Sequence, residues 1–592
     1  MPKLPRSRQK SSPLGPPGSV SLGWRTIVLA LALLTLSILP YAGSWNGEFL
    51  WDDNSTILDS ELVKDSSGWW KIWIDPPPSH PDYFPLTTLS FWAEWRVWGD
   101  SPAGYRVVNT LLHAASVLML WRLLCAMGLS GAWIAAALFA VHPVNVESVA
   151  WISERKNLLA MLFAIPSFFY FIRWDTTKRL PTYLAALVCF FFATSAKASV
   201  VTLPLVFATW SAWRYGFTSL RRFVVPLIPF LLISLGFSIA VIHFQNTRAV
   251  GDWDIQMPGI MGRIGQAGLA FWFYLGKGVF PIGLATIYPR WNLDPSAAPA
   301  LLLAGLLIAG GGLLWIRRDK ISLGLAFGLT SYALLLLPTL GLLKMSFMKY
   351  APVSDHFQHL ALPAILATIV CGIASLLNNY PRFKTPAIIF ACCMLAVLAT
   401  ASASRARIHA SHEALWCDAM AKNPDSPQPH AILATILQES GRVGEAEPHF
   451  QVAARLAPND QLILTNLGVY LLQTKQPKKA EFPLRKVIEA GSKYPETYIY
   501  LARASMEQGD LDTALDTLAA GCIAFPSDVA LNSTAASCFL VASRFAEALH
   551  YIEQCERLLP DNPTAFKEEA AAALRGLGRH EEAAAKLRET RP

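Results

Sequence analysis

The chain has 592 residues, too many for one soluble core, so more than one domain is expected. Hydrophobic residues make up 53% of it and charged ones 16%, which indicates a polytopic membrane protein and excludes an ordinary soluble enzyme. Many of the basic residues behind the net charge of +8 lie in short loops between apolar segments, where they set orientation and give no nucleic-acid signal. The nine cysteines form no CxxC pair and no His/Cys spacing of a metal site.

Residues 1–22, rich in Pro, Ser, Lys and Arg, read as a disordered cytoplasmic tail. Trp24 to Gly43 is the first span, long enough to remain as an anchor. Residues 44–104 form the first outside loop. Its tryptophans, Trp69, Trp70, Trp73, Trp92, Trp95 and Trp98, fit helices lying in the membrane interface or a plain aromatic belt. Near its start stands WDDNSTILDS, from Trp51. Asp52 and Asp53 thus sit where a helix leaves the bilayer, and adjacent carboxylates there are costly unless solvated, paired or used. DDNST would also serve as the N-terminal signal of an interfacial helix.

Further spans are predicted near 105–125, 130–142, 157–174, 180–195, 199–213, 223–244, 299–316, 321–340, 359–377 and 385–402. Loops with Arg173, Lys178 and Arg179, and with Arg382 and Lys384, come out cytoplasmic. The stretch 263–283, RIGQAGLAFWFYLGKGVFPIG, is apolar enough to span, but a span there would turn every later basic loop outward. It is therefore expected to be re-entrant or interfacial, with Lys277 between two glycines in a broken helix lining a cavity. The total is about eleven transmembrane helices. An odd number puts the C-terminal part outside, in a periplasm or lumen.

From Arg405 the apolar runs stop. Ala414, Ala446, Ala480, Ala514, Ala548 and Ala583 recur at steps close to the ~34 residues of a tetratricopeptide repeat, and Ala434, Gly468, Ala502, Ala536 and Ala571 are the small residues of each first helix. The expected fold class is all-α: a membrane domain over 23–404, then a tetratricopeptide-repeat α-solenoid over 405–592. The concave groove of such a solenoid suits an extended peptide, or the surface serves self-packing or dimerisation.

Four stretches then carry a resemblance. They are FLWDDNSTI around the acidic pair, YFPLTTLSFWAEWRVWGDSPAGYRVVNTLLHAAS from Tyr83, VHPVNVESVAWISERKNLLA from Val141, and SAKASVVTLPL from Ser195. SDHFQHLALP, from Ser354, is similar to a late-loop motif of bacterial members. With the repeats, these make the chain resemble the transmembrane O-mannosyltransferases that carry tetratricopeptide repeats, and more broadly the C-fold glycosyltransferases that use lipid-phosphate sugars. The chain departs from that pattern at Arg106, where the family often has His, and at Ala198, where Glu often follows the Lys. The resemblance implies a glycosyltransferase of the C-type membrane fold. Its donor would be a polyprenyl-phosphate-linked sugar, by analogy mannose. Its acceptor would be Ser or Thr hydroxyls of a protein held in the repeat groove. The setting would be a bacterial inner membrane with site and repeats facing the periplasm, or a lumen in a eukaryote.

Such a transfer needs a base for the hydroxyl proton and cations for the leaving phosphate. Asp52 or Asp53 is expected as the base, the other ordering it. Arg155, Lys156 and Lys197 are the phosphate-side candidates, Arg by its fork geometry and Lys as a point charge. Glu154, His142, His113, Asp355, His356 and Lys277 are further candidates, and Lys344 and Lys349 come out on the same face. Each has a plainer reading. Glu154 to Lys156 could be a solvated loop, Lys197 could snorkel to the interface, and His113 and His142 could be hydrogen-bonded structural residues. No cofactor is expected. Carboxylates would suit a divalent metal, but a metal-free site is favoured because no further carboxylates cluster in sequence. Two rival readings stand beside this one: transfer to a cell-surface glycan or lipid, and a non-enzymatic membrane-anchored scaffold.

Overall fold

The computed structural model describes residues 23–74, 76–77, 82–215, 220–249, 257–291, 294–317, 323–559, 562 and 565–588. The tail expected over 1–22 lies outside them. Every regular element among the described residues is helical. The chain divides into two compact units, the first ending at Asn423 and the second starting at Pro424.

In the first unit each apolar stretch read from the sequence lies in helix. Among the described residues six helices are long and apolar enough to cross a membrane: Trp24–Ser44, Pro102–Ala126, Ile152–Thr177, Val224–Arg248, Leu362–Asn379 and Pro381–Ile408. Ala132–Ala140 and Pro143–Ala150 make a seventh if the pair, bent by 49°, is one span. The remaining expected spans are shorter, at Leu180–Ala196, Ala198–Ala212, Ala298–Leu314 and Gly324–Thr339. Prolines open several of these helices, among them Pro102, Pro181 and Pro363. In the first turn a missing N–H costs nothing, and the fixed φ already suits the helix. Apolar side chains such as Ile239, Ile308, Phe390 and Val397 point outward and are well exposed. That pattern is stable only where the surrounding solvent is hydrocarbon.

Two expectations change here. Residues Ile260–Val279 form one unbroken helix that runs through Gly276 and Gly278. Lys277 lines no cavity with the acidic pair. Its Nζ donates back to the carbonyls of Ile282 and Gly283 at 2.5 and 3.2 Å, holding the turn that follows the helix. The break predicted at the glycines therefore falls beyond them, at Phe280. The unit boundary also moves. Trp416, in the helix His412–Lys422, is wholly buried with its ring edge against Trp51, at 5.1 Å between centroids, so this helix belongs to the first unit.

The second unit is a series of helix pairs: Pro427–Glu439 with Val443–Leu456, Gln461–Gln473 with Pro477–Glu489, Glu496–Glu507 with Leu511–Ala524, Val529–Val541 with Phe545–Leu558, and Lys567–Gly576 with His580–Arg588. Asp460, Asp510 and Asp528 cap helix starts with their side chains. The turn inside each pair carries one residue in the left-handed region: Gly441, Lys475, Gly509, Ser543 and Gly578. These follow at the repeat's own spacing, so the backbone records the period as well as the sequence does. Ala446, Ala480, Ala514, Ala548 and Ala583 are all buried where the helices cross.

Candidate active site

The acidic pair is fixed by its apolar neighbours. Phe49 and Ile57, on either side of it, join Val63, Phe91, Tyr105 and Ile152 in one buried cluster. That cluster pins the loop against the turn that precedes the helix Arg155–Thr177. Within the loop Trp51 takes a left-handed φ of 46°, uncommon for a bulky residue. Its ring lies parallel on Trp151, at 5.4 Å between centroids, with Tyr350 edge-on at 5.0 Å. Stacking of this kind holds a backbone conformation that would otherwise relax.

The two carboxylates then differ. Asp53 is wholly buried. Its Oδ2 accepts from the Leu50 N–H at 2.8 Å, and its Oδ1 accepts from the Ser153 N–H at 2.7 Å and from the Ser153 hydroxyl. Burial pushes its carboxyl up, while Ser153, Leu50 and Arg106 pull it down. Asp53 makes no side-chain cap for the turn Asn54–Leu58, so the helix-start reading of DDNST is not what its side chain does. Asp52 is exposed, and what it faces is a cavity of about 690 Å³. Protein surrounds the carboxylate on the sides formed by Trp51, Trp151, Glu154 and Lys156 while its surface stays open to the cavity. Burial pushes Asp52 up to about 7, Lys156 opposes the shift, and Glu154, Asp82 and Asp53 add to it.

Glu154 is the hub of the opposite charge pattern. It is buried and lies 2.9 Å from the Lys156 ammonium and 3.6 Å from that of Lys197. Asn157 donates to it at 2.5 Å and accepts from Lys197 at 2.7 Å. Lys197 therefore does not snorkel, and Glu154 is no solvated loop residue. Burial pulls the Lys197 ammonium down to about 8, and Glu154 resists that shift. His356 also borders the cavity. Its Nε2 is 3.8 Å from Glu154, and its Nδ1 and backbone N–H both lie 3.0 Å from the buried carboxylate of Glu147.

Other candidates stand elsewhere. Arg155 does not line the cavity. Its guanidinium is buried, paired with Glu94, and donates to Asn109 at 2.7 Å and to the Tyr105 carbonyl at 2.8 Å. With its donors spent on the interior it braces the helix start and cannot offer its fork to a phosphate. His113 is buried 3.0 Å from the Ala140 carbonyl, and His142 accepts from the Val144 N–H. Both occupy structural positions. Asp355 is buried between the Tyr288 hydroxyl at 2.7 Å and Arg405 at 3.1 Å. Among the described residues no three His, Cys, Asp or Glu side chains gather as a metal-binding group. Both oxygens of Asp53 already accept hydrogen bonds, so the pair does not present two free carboxylates to a cation.

Lys344, expected on this face, lines the cavity, while the sequence reading passed over other parts of the wall: Trp51, Trp151, Phe347 and Tyr350 as an aromatic side, and Asp82, Gln245 and Arg263 as a polar one. Asp82 accepts from Gln245 at 2.8 Å, a contact across 163 residues that no local pattern could signal. Trp151 stands two residues before Ser153 of SERK, so that motif pointed near it.

No family model matches the chain. Similar proteins are named protein O-mannosyl-transferases. One from Caenorhabditis elegans is 35% identical over 148 residues, 23% of this chain and 21% of its own length. TMTC2 of Mus musculus is 26% identical over 240 residues, 38% of this chain and 29% of its own. TMTC4 of Mus musculus is 31% identical over 169 residues, 24% and 22% of the two chains. The chain thus spans well under a third of the length of these relatives. Among solved structures, YrrB, titled a TPR protein with an unusual peptide-binding site, covers 29% of this chain and 88% of its own at 16% identity and a TM-score of 0.26. PilW, titled a type IV pilus biogenesis factor, covers 35% and 89% at 19% identity and a TM-score of 0.25. The resemblance to O-mannosyltransferases stands in the sequence matches.

Proposed function

We propose that the chain transfers a sugar, mannose by its resemblance, from a polyprenyl-phosphate donor to Ser or Thr hydroxyls of proteins, with Asp52 as the base. The observation that carries this reading is the split of the acidic pair: one carboxylate tied down on both oxygens, its neighbour on the cavity surface. The acceptor hydroxyl donates to Asp52 and attacks the anomeric carbon. The bond from that carbon to the phosphate oxygen breaks, its electron pair leaves with the lipid phosphate, and the hydroxyl proton stays on Asp52. A carboxyl raised to about 7 is a stronger base than an ordinary Asp and is still substantially ionised at neutral pH. Asp53 holds the loop so that Asp52 keeps its aim.

The repeat unit, in the same reading, selects the acceptor on the outer side of the membrane, the periplasm of a bacterium. A scaffold would have no use for Glu154, Lys156 and Lys197 gathered at one cavity, because burying such charges is costly unless they are used. The test is transfer from labelled polyprenyl-phosphate mannose by the purified chain, with lipid and protein products separated. Asp52→Asn is expected to lower turnover by about 10²–10⁴-fold with the melting temperature unchanged. Retained turnover in Asp52→Asn and in the double Asn variant would reject the assignment. Label appearing in lipid or glycan alone would move the acceptor to that class.

A further inference from the structure

Among the described residues four Lys and Arg side chains line the cavity, and they are not equivalent. Lys156 and Lys197 both turn to Glu154, and Lys156 also faces Asp82 and Asp52. Three carboxylates thus stand against two lysines, which leaves that wall no positive charge to spare. The remaining cations are Arg263, in the first turn of the helix Ile260–Val279, and Lys344, in the loop after Thr339. Both line the same cavity, and Gly341, three residues before Lys344, takes a left-handed φ of 83° that favours glycine in a turn packed against Gln266 of that helix. Lys344 makes no hydrogen bond or ion pair among the described residues. Arg263 uses only its Nε, which donates to the Pro258 carbonyl at 3.1 Å. Its two terminal nitrogens, the fork that matches phosphate oxygens, are uncommitted among the described residues.

We propose that Arg263 and Lys344, rather than Lys156 and Lys197, grip the phosphate of the lipid-linked donor. This rests on the lipid-phosphate reading above. The donor is a phosphodiester with one negative charge. As its glycosidic bond breaks, the departing monoester takes the electron pair and gains a second charge, while Asp52 takes the proton and becomes neutral. Two uncommitted cations match the two charges of the leaving group. Among the described residues neither forms an ion pair with the carboxylates of the other wall, so both keep their charge for the phosphate. Lys156 is left to face the charge of Asp52, and Lys197 stays with Glu154 and Asn157.

The test is thermal melting of the full chain in detergent micelles, with farnesyl phosphate as the probe and farnesol and inorganic phosphate as controls. Farnesyl phosphate is expected to stabilise the wild type beyond either control. Arg263→Gln and Lys344→Gln should each raise the half-saturating concentration about tenfold, and the double variant should lose the phosphate-dependent increment. Lys344→Arg and Lys156→Gln should keep it. An equal response from wild type and the double Gln variant overturns the assignment and leaves the lipid-phosphate reading intact. An increment absent from the wild type overturns both. An increment as large with inorganic phosphate as with farnesyl phosphate overturns the lipid as its source. If the double variant does not fold, the contrast between Lys344→Gln and Lys344→Arg decides.

Discussion

Asp52 and Asp53 are chemically identical and adjacent, yet they are expected to fail differently. Asp53→Asn puts an amide N–H₂ against either the Leu50 or the Ser153 N–H, donor facing donor. It should lower stability by about 1–3 kcal/mol, read as a fall in the melting temperature together with lost activity. Asp52→Asn should lose activity alone. The pH profile gives a second check. Only the ionised Asp52 can accept a proton, so transfer should decline as pH falls through about 7 and level off above it. A rate that stays flat down to the usual Asp range near pH 4 would remove Asp52 from the role. The doublet itself was legible in the sequence, because paired carboxylates at a membrane exit need a reason. Which of the two faces the cavity was not. That depends on the turn at Trp51 and on Ser153, neither of which advertises its partner locally. Arg155 misled for a similar reason: SERK supplies three charges in a row, and only packing decides which of them turns inward.

At the scale of the element, the repeats were the most legible part, since small residues at a fixed step must lie where helices cross. The structure adds a test that the alanines do not offer. Lys475 and Ser543 occupy turns in the left-handed conformation that Gly441, Gly509 and Gly578 supply elsewhere. Lys475→Gly and Ser543→Gly should each stabilise the repeat unit by about 0.5–1 kcal/mol, and Gly509→Ala should cost about 1–2 kcal/mol, measured by denaturant melting of the repeat transition. The helix Ile260–Val279 shows where reading by residue type runs out. Glycines flanking a lysine suggested a break, yet Gly278 lies where helices pack, with Gln358 and Leu362 within van der Waals reach of a Cβ placed there. A glycine required for close approach looks, in one sequence, like a glycine required for a kink.

For the whole molecule, hydropathy located the apolar segments but not how many cross the bilayer alone. Several apolar helices are shorter than the hydrocarbon thickness asks for, so hydropathy alone does not say whether each crosses. Orientation is the property most open to direct measurement. In a cysteine-free background, a cysteine at Thr176 and one at Ser440, both exposed, are expected to react with a membrane-impermeant reagent from opposite sides. Labelling of both from one side would separate the repeats from the compartment of Asp52 and end the acceptor-selecting role. The tether of Asp53 to Ser153, one hundred positions further along the chain, reaches beyond the finished protein. During translation the acidic loop is made well before its anchor. In the nascent chain Asp53 therefore lacks its partner until Ser153 has been made, and the acidic loop cannot settle into its finished geometry before then.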